Sequence, residues 1–128
     1  MIVRTIAYWV TTGLFSLGMG MSAAVYLSQQ PFAIDAMTNH LGFPAYTLYI
    51  LGIAKGLGAI ALLTPAFPKL KEWAYAGFTF NLIGAVWAHV AVGDPVTELI
   101  GPTVLFGIML ASYFLRPKSL KVQAVPAA

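Results

Sequence analysis

The sequence predicts an all-α integral membrane protein: a bundle of four transmembrane helices with a short interfacial helix between the first and second spans. Two observations carry this. Of 128 residues, 59% are hydrophobic and 9% are charged, too apolar for a single soluble domain. The apolar residues also gather into four segments of about 20, the length that crosses a hydrocarbon core roughly 30 Å thick.

The first segment runs from Thr5 to Ser28, the second from Ala45 to Thr64, the third from Glu72 to Val92 and the fourth from Val96 to Leu115. Arg4 ahead of the first gives it the look of a secretory signal, but its apolar stretch is longer than an h-region and no good cleavage site follows, so it is expected to be retained. The remainder holds no separate soluble domain. Residues 1–117 are expected to form the transmembrane domain, and 118–128 a disordered tail.

The connection from Gln29 to Pro44 contains PFAIDAMTNHLG. Pro31 suits a first helical position, Gly42 suits a helix end, and Ile34, Met37 and Leu41 recur at helical spacing, which predicts a short helix lying at the interface. Gly13, Ser16, Gly20 and Ala24 in the first span, and Gly52, Gly56 and Ala59 in the second, offer faces on which backbones can approach closely. Pro102 is expected to kink the fourth span.

Charge sets the orientation. Arg4, Lys69, Lys71, Arg116, Lys118 and Lys121 all fall on one side of the expected membrane, while Asp35, His40, Asp94 and Glu98 fall on the other. The positive-inside rule places both termini and the 65–71 loop in the cytoplasm, in a multi-pass protein of the bacterial inner membrane. The net charge of +3 lies at helix ends and not along a groove-sized patch, so no nucleic-acid partner is implied. The absence of cysteine excludes disulfide scaffolds, thiol redox chemistry and Cys-ligated clusters.

The stretches LGFPAY (41–46), LGIAKGLGAIALLTPAFPKLKEWAYAGFTF (51–80) and GAVWAHVAVGD (84–94) resemble the DoxX-like family of small bacterial membrane proteins, with EWAYAGF at Glu72 to Phe78 the most telling part. The resemblance covers roughly residues 5–116 and implies a four-helix membrane protein without fixing a reaction. The family takes its name from a subunit of a thiosulfate:quinone oxidoreductase; other relatives resemble accessory proteins, including animal ones that assist receptor assembly. Sulfur transfer through a thiol has no residue to carry it here.

The polar groups inside the spans are the candidate site. Lys55 lies near the middle of the second span, where a charge costs roughly 2.5–3.5 kcal/mol to insert, so it should face the bundle interior or a watery notch. It is a candidate donor to a ligand oxygen, such as a quinone carbonyl, or a fixed interhelical packing group. Asn81, at about the same depth in the third span, is its expected partner, with helix-to-helix glue as the alternative.

His89 falls in the outer quarter of the third span, near Asp94 and Glu98, where it could form a titratable mouth or simply hydrogen-bond. Tyr49 and Phe80 are inward aromatics that could flank a flat ligand. Glu72 is expected to complement the helix dipole and pair with Lys69 or Lys71. Asp94 and Pro95 read as N-cap and first residue of the fourth span. Trp9, Trp73 and Trp87 suit interfacial belts. No catalytic set and no metal site is indicated, and a haem on His40 and His89 is disfavoured because His40 lies in a connection.

Three functions are compatible with these residues. The first is a redox-associated accessory subunit that binds a quinone or other lipophilic molecule beside Lys55; with no flavin, haem, iron–sulfur or nicotinamide motif in the sequence, a redox partner protein would supply the electrons. The second is a non-enzymatic assembly protein. The third is a small-molecule transporter, disfavoured because no carboxylate lies in mid-span. Beyond a bound quinone or lipid no cofactor is implied, and the expected partners are membrane lipids, another membrane protein or a second copy of the chain.

Overall fold

Helix α1 (Ile2–Leu27) presents Tyr8, Thr12, Phe15, Ser16, Met19 and Ala23 inward at spacings of three and four, while Leu14, Leu17 and Met21 point outward. The computed structural model describes residues 2–122, and within them the protein is entirely helical. After α1 come α2 (Pro31–Asp35), which runs into a π-turn (Ala36–His40), then α3 (Thr47–Leu63), α4 (Pro68–Ala91) and α5 (Thr97–Leu115). The short interfacial helix expected from Pro31 and Gly42 is therefore present, and its end is wound more loosely than an α-helix.

The four long helices pack in a ring: α1 lies against α3 and α5, and α4 closes the ring against the same two. Phe15, Met19, Ala59, Leu62, Phe78 and Met109 form the central core, with the Phe15 and Phe78 rings edge-to-face at 4.9 Å. Hydroxyls add a polar seam inside it, Thr12 to Ser112 at 2.5 Å and Tyr75 to Ser112 at 2.7 Å, which joins α1, α4 and α5. The outward faces of all four long helices are lined with exposed large apolar residues, a surface suited to hydrocarbon.

Two helices, Ile2–Leu27 and Thr97–Leu115, are long and apolar enough to cross a membrane. The two others depart from the sequence expectation in opposite directions, α3 being shorter and α4 longer. Helix α3 is continuous for 17 residues, about 25 Å at the usual helical rise, because Thr64 and Pro65 turn the chain out of the helix. Helix α4 begins at Pro68, four residues earlier than expected, and so takes Lys69 and Lys71 as well as Glu72 into its first turns.

Small residues act on α3 more than on α1. A side chain at Gly52 would meet Leu27 at 2.9 Å, and one at Gly56 would meet Ala23 at 3.7 Å, so the two backbones do approach closely there. Gly13 and Gly20 have open space beside them and Ala24 is exposed. Of the expected α1 stripe only Ser16 is on the packing face, which otherwise runs through Tyr8, Thr12, Phe15, Met19 and Ala23.

The ends of the bundle segregate by charge. At one end Arg4 donates to the Phe114 carbonyl at 2.7 Å, Lys71 Nζ donates to the carbonyls of Ala61 and Leu62, and Arg116 pairs with Glu72 at 2.6 Å. The opposite end carries Asp35, Asp94 and Glu98 with no lysine or arginine. The chain also stays structured beyond residue 117, where the tail was expected to begin: Lys118–Leu120 forms a 3₁₀ turn with Leu120 buried. The expected disorder of 123–128 lies outside the described residues.

Candidate functional site

Lys55 is drawn inward because α3 places it on the same side as Gly52 and Ala59, the side that meets the bundle; the residue is 8% exposed. Its Nζ donates to Ser22 Oγ at 2.9 Å and stands 4.2 Å from the centre of the Tyr26 ring. Hydroxyl and ring together replace part of the hydration an ammonium loses on burial. Both partners sit on α1. Asn81, the partner expected from depth alone, makes no hydrogen bond to the lysine.

Asn81 nevertheless shares a cleft with Lys55. The space between α3 and α4, about 490 Å³, is lined by Lys55, Asn81, Phe78, Phe80, Trp73 and Leu57 among others. The Asn81 amide has no hydrogen-bond partner among the described residues and so retains both donor and acceptor capacity. Phe80 and Trp73 are mostly exposed, which makes the cleft open sideways toward the surrounding medium. A larger groove of about 630 Å³ lies between α4 and α5 beside Pro102; apart from Thr103 and the Trp87 indole its lining is apolar, so it suits an acyl chain more than an oxygenated ligand.

The other sequence candidates fall elsewhere. Tyr49 is half-exposed on the outer surface of α3 and does not line the cleft. Glu72 does not pair with Lys69 or Lys71; it accepts from Arg116 Nη1 at 2.6 Å and from the Tyr113 hydroxyl at 3.1 Å. Arg116 reaches it from beyond the end of α5, lying 3.9 Å from the Tyr113 ring, while Lys71 is turned to the α3 terminus. This cluster fastens helix ends, and none of its residues lines the α3–α4 cleft.

A second polar constellation lies at the acidic end, and the sequence reading assembled only half of it. His89 and Asp94 are adjacent as expected, with Nδ1 2.5 Å from Oδ2. His40 approaches from the π-turn, its Nε2 2.6 Å from Oδ1 of the same carboxylate. The carboxyl of Asp94 is held below its ordinary range, first by the hydrogen bond from His89 and then by His40.

Asp94 does not cap α5. That helix starts at Thr97 with no side-chain cap, and the aspartate faces backward. The reason is the end of α4: Gly93, at φ 79°, lets its own N–H reach the Val90 carbonyl and the Asp94 N–H reach the His89 carbonyl. This Schellman arrangement brings the residue after the glycine beside the third residue from the helix end. The contact usually made by two apolar side chains there is made here by His89 and Asp94.

Comparison with known proteins gives one assignment. A family model described as the DoxX-like family matches residues 10–112. That span takes in Lys55, Asn81 and the His40–Asp94–His89 cluster. No curated protein and no solved structure matches the chain.

Proposed function

The chain belongs to the DoxX-like family, and from that premise we propose that this membrane protein takes up a flat lipophilic molecule bearing oxygen acceptors, quinone-like in chemistry, in the α3–α4 cleft and serves as an accessory to a redox partner. The observation that carries the reading is the pairing of a buried lysine with an unpaired amide along one apolar, laterally open cleft. Phe78, Phe80 and Trp73 supply ring faces for a planar molecule, and Asn81 can both donate to and accept from it. Such a ligand would enter from the hydrocarbon, not from water.

In this reading all four long helices cross the inner membrane. The gathering of Arg4, Lys69, Lys71 and Arg116 at one end supports, by the positive-inside rule, a cytoplasmic location for that end and both termini. Helix α3 is short for a full crossing, a mismatch that local thinning of the bilayer can accommodate.

The test is native mass spectrometry of the protein released from its own membranes in mild detergent. A stoichiometric small-molecule adduct is expected on the original chain and not on Lys55→Met, with Asn81→Leu weakening it independently. An adduct that persists in both variants, or no adduct at all, overturns the ligand reading. An adduct-free chain that travels with another membrane protein would support the assembly function instead.

A further inference from the structure

We infer that His40, His89 and Asp94 form the protein side of a binding site for one divalent cation of the zinc class at the acidic end of the bundle. One donor atom from each of the three side chains falls within a sphere of contacts no wider than 4.8 Å. They come from three separate segments: the π-turn after α2, the last turn of α4 and the α4–α5 connection.

The geometry is close to what such an ion requires. Bonds of roughly 2.0–2.2 Å in a tetrahedron set ligand atoms about 3.3 Å apart. His40 Nε2 lies 2.6 Å from Oδ1 and His89 Nδ1 2.5 Å from Oδ2 of the same carboxylate, and one donor atom of each residue lies within 4.8 Å of the others, so shifts of up to about 1.5 Å would bring the three onto one ion. His89, on a regular helix, is the fixed member. Asp94 follows Gly93 and His40 precedes Gly42, both glycines at positive φ in connecting segments, where small side-chain and backbone adjustments are cheapest.

The donor chemistry selects the class of ion. Two imidazole nitrogens and one carboxylate oxygen suit zinc and its neighbours in the first transition row, whereas magnesium and calcium favour all-oxygen sets. Three protein donors leave a fourth position for water. His40 is 53% exposed, so that position opens to the medium.

The surrounding field favours a cation. The lysines and arginines are concentrated at the opposite end or buried at Lys55, and the acidic residues at this end are Asp35 at the end of α2, Asp94, and Glu98 in the first turn of α5. None of the three residues lines the Lys55 cleft, so this inference stands whether or not a lipophilic ligand binds there.

Zinc titration of the chelator-treated full chain in detergent, followed by calorimetry, tests it, with cobalt substitution reporting coordination through its visible spectrum. One equivalent of zinc per chain is expected, unaffected by excess magnesium. His40→Ala, His89→Ala and Asp94→Asn should each weaken binding by more than about 100-fold, the upper end of what loss of a mere outer-shell partner costs. His40→Ala removes the most exposed member and is the mildest to the fold; helicity and thermal midpoint of each variant check that it is folded. Absence of saturable zinc binding by the original chain, or binding unchanged in all three variants, overturns the proposal and leaves the trio a hydrogen-bonded clasp.

Discussion

Lys71 Nζ donates a 2.7 Å hydrogen bond to the carbonyl of Leu62, and a second, of 3.0 Å, goes to Ala61. A lysine in the first turns of α4 thereby closes the C-terminus of α3, whose last carbonyls have no partner within their own helix. The charge also complements the negative end of the α3 dipole. One side chain fastens two consecutive helices across the Pro65–Phe67 turn.

Lys71→Met keeps the length of the side chain and removes both bonds. Hydrogen bonds from charged donors contribute about 1.5–3 kcal/mol, so the variant should unfold at a clearly lower temperature in detergent. Lys69→Met, two residues earlier on the exposed side of α4, should unfold like the original chain. Thermal unfolding of the two variants side by side checks this; equal midpoints would show that the carbonyls find other partners.

Gly58 marks a close approach between α3 and the Phe78 ring of α4. A methyl group there would lie 2.7 Å from the Phe78 ring, and Phe78 is itself wedged against Phe15. Gly58→Ala should therefore cost about 1–3 kcal/mol through overpacking. At Gly77 and Gly84 nothing lies within 4 Å, and alanine there should be neutral or slightly stabilising through helix propensity. The contrast between positions, read in one series of unfolding curves, is the check.

These contacts show which relationships a sequence can display. The helix segments, the short helix after Pro31, the separation of basic and acidic ends and the inward lysine all follow from local pattern: an apolar run, a proline, a glycine, a charge that hydrocarbon will not accept. The partner of Lys55 does not. Depth along a helix suggested Asn81, but the rotation of each helix about its axis chooses the neighbour, and the close approach at Gly52 and Gly56 turns Lys55 toward Ser22, 33 residues earlier. His40 and Asp94 are 54 residues apart and share no periodicity. A local signal did exist for His89 and Asp94, since a glycine between them in a helix-ending position sets the two side by side.

The absence of native cysteine makes membrane topology directly measurable. Single cysteines at Ala66, Ser119 and Asn39 can be probed with a membrane-impermeant maleimide in intact cells. With four crossings, Asn39→Cys should label and the other two should stay protected until the membrane is opened. If only α1 and α5 crossed, Ala66→Cys would label together with Asn39→Cys, because the whole stretch between those helices would lie on one side. The behaviour of position 66 decides between the two arrangements.

The acidic end makes a local prediction that needs no metal. Asp94 is the group through which the π-turn and the end of α4 are joined, by His40 on one carboxylate oxygen and His89 on the other. Asp94→Ala removes both links, while Asp94→Asn keeps one carbonyl oxygen and gains an N–H, so it can still satisfy both imidazoles if their tautomers adjust. Hydrogen exchange measured on the chelator-treated protein should therefore rise in residues 36–43 for Asp94→Ala and much less for Asp94→Asn. Peptides from the basic end, where Lys71 and Arg116 make their own fastenings, should be unchanged in both. A uniform loss of protection over the whole chain would mean that the carboxylate supports the global fold and not the local junction.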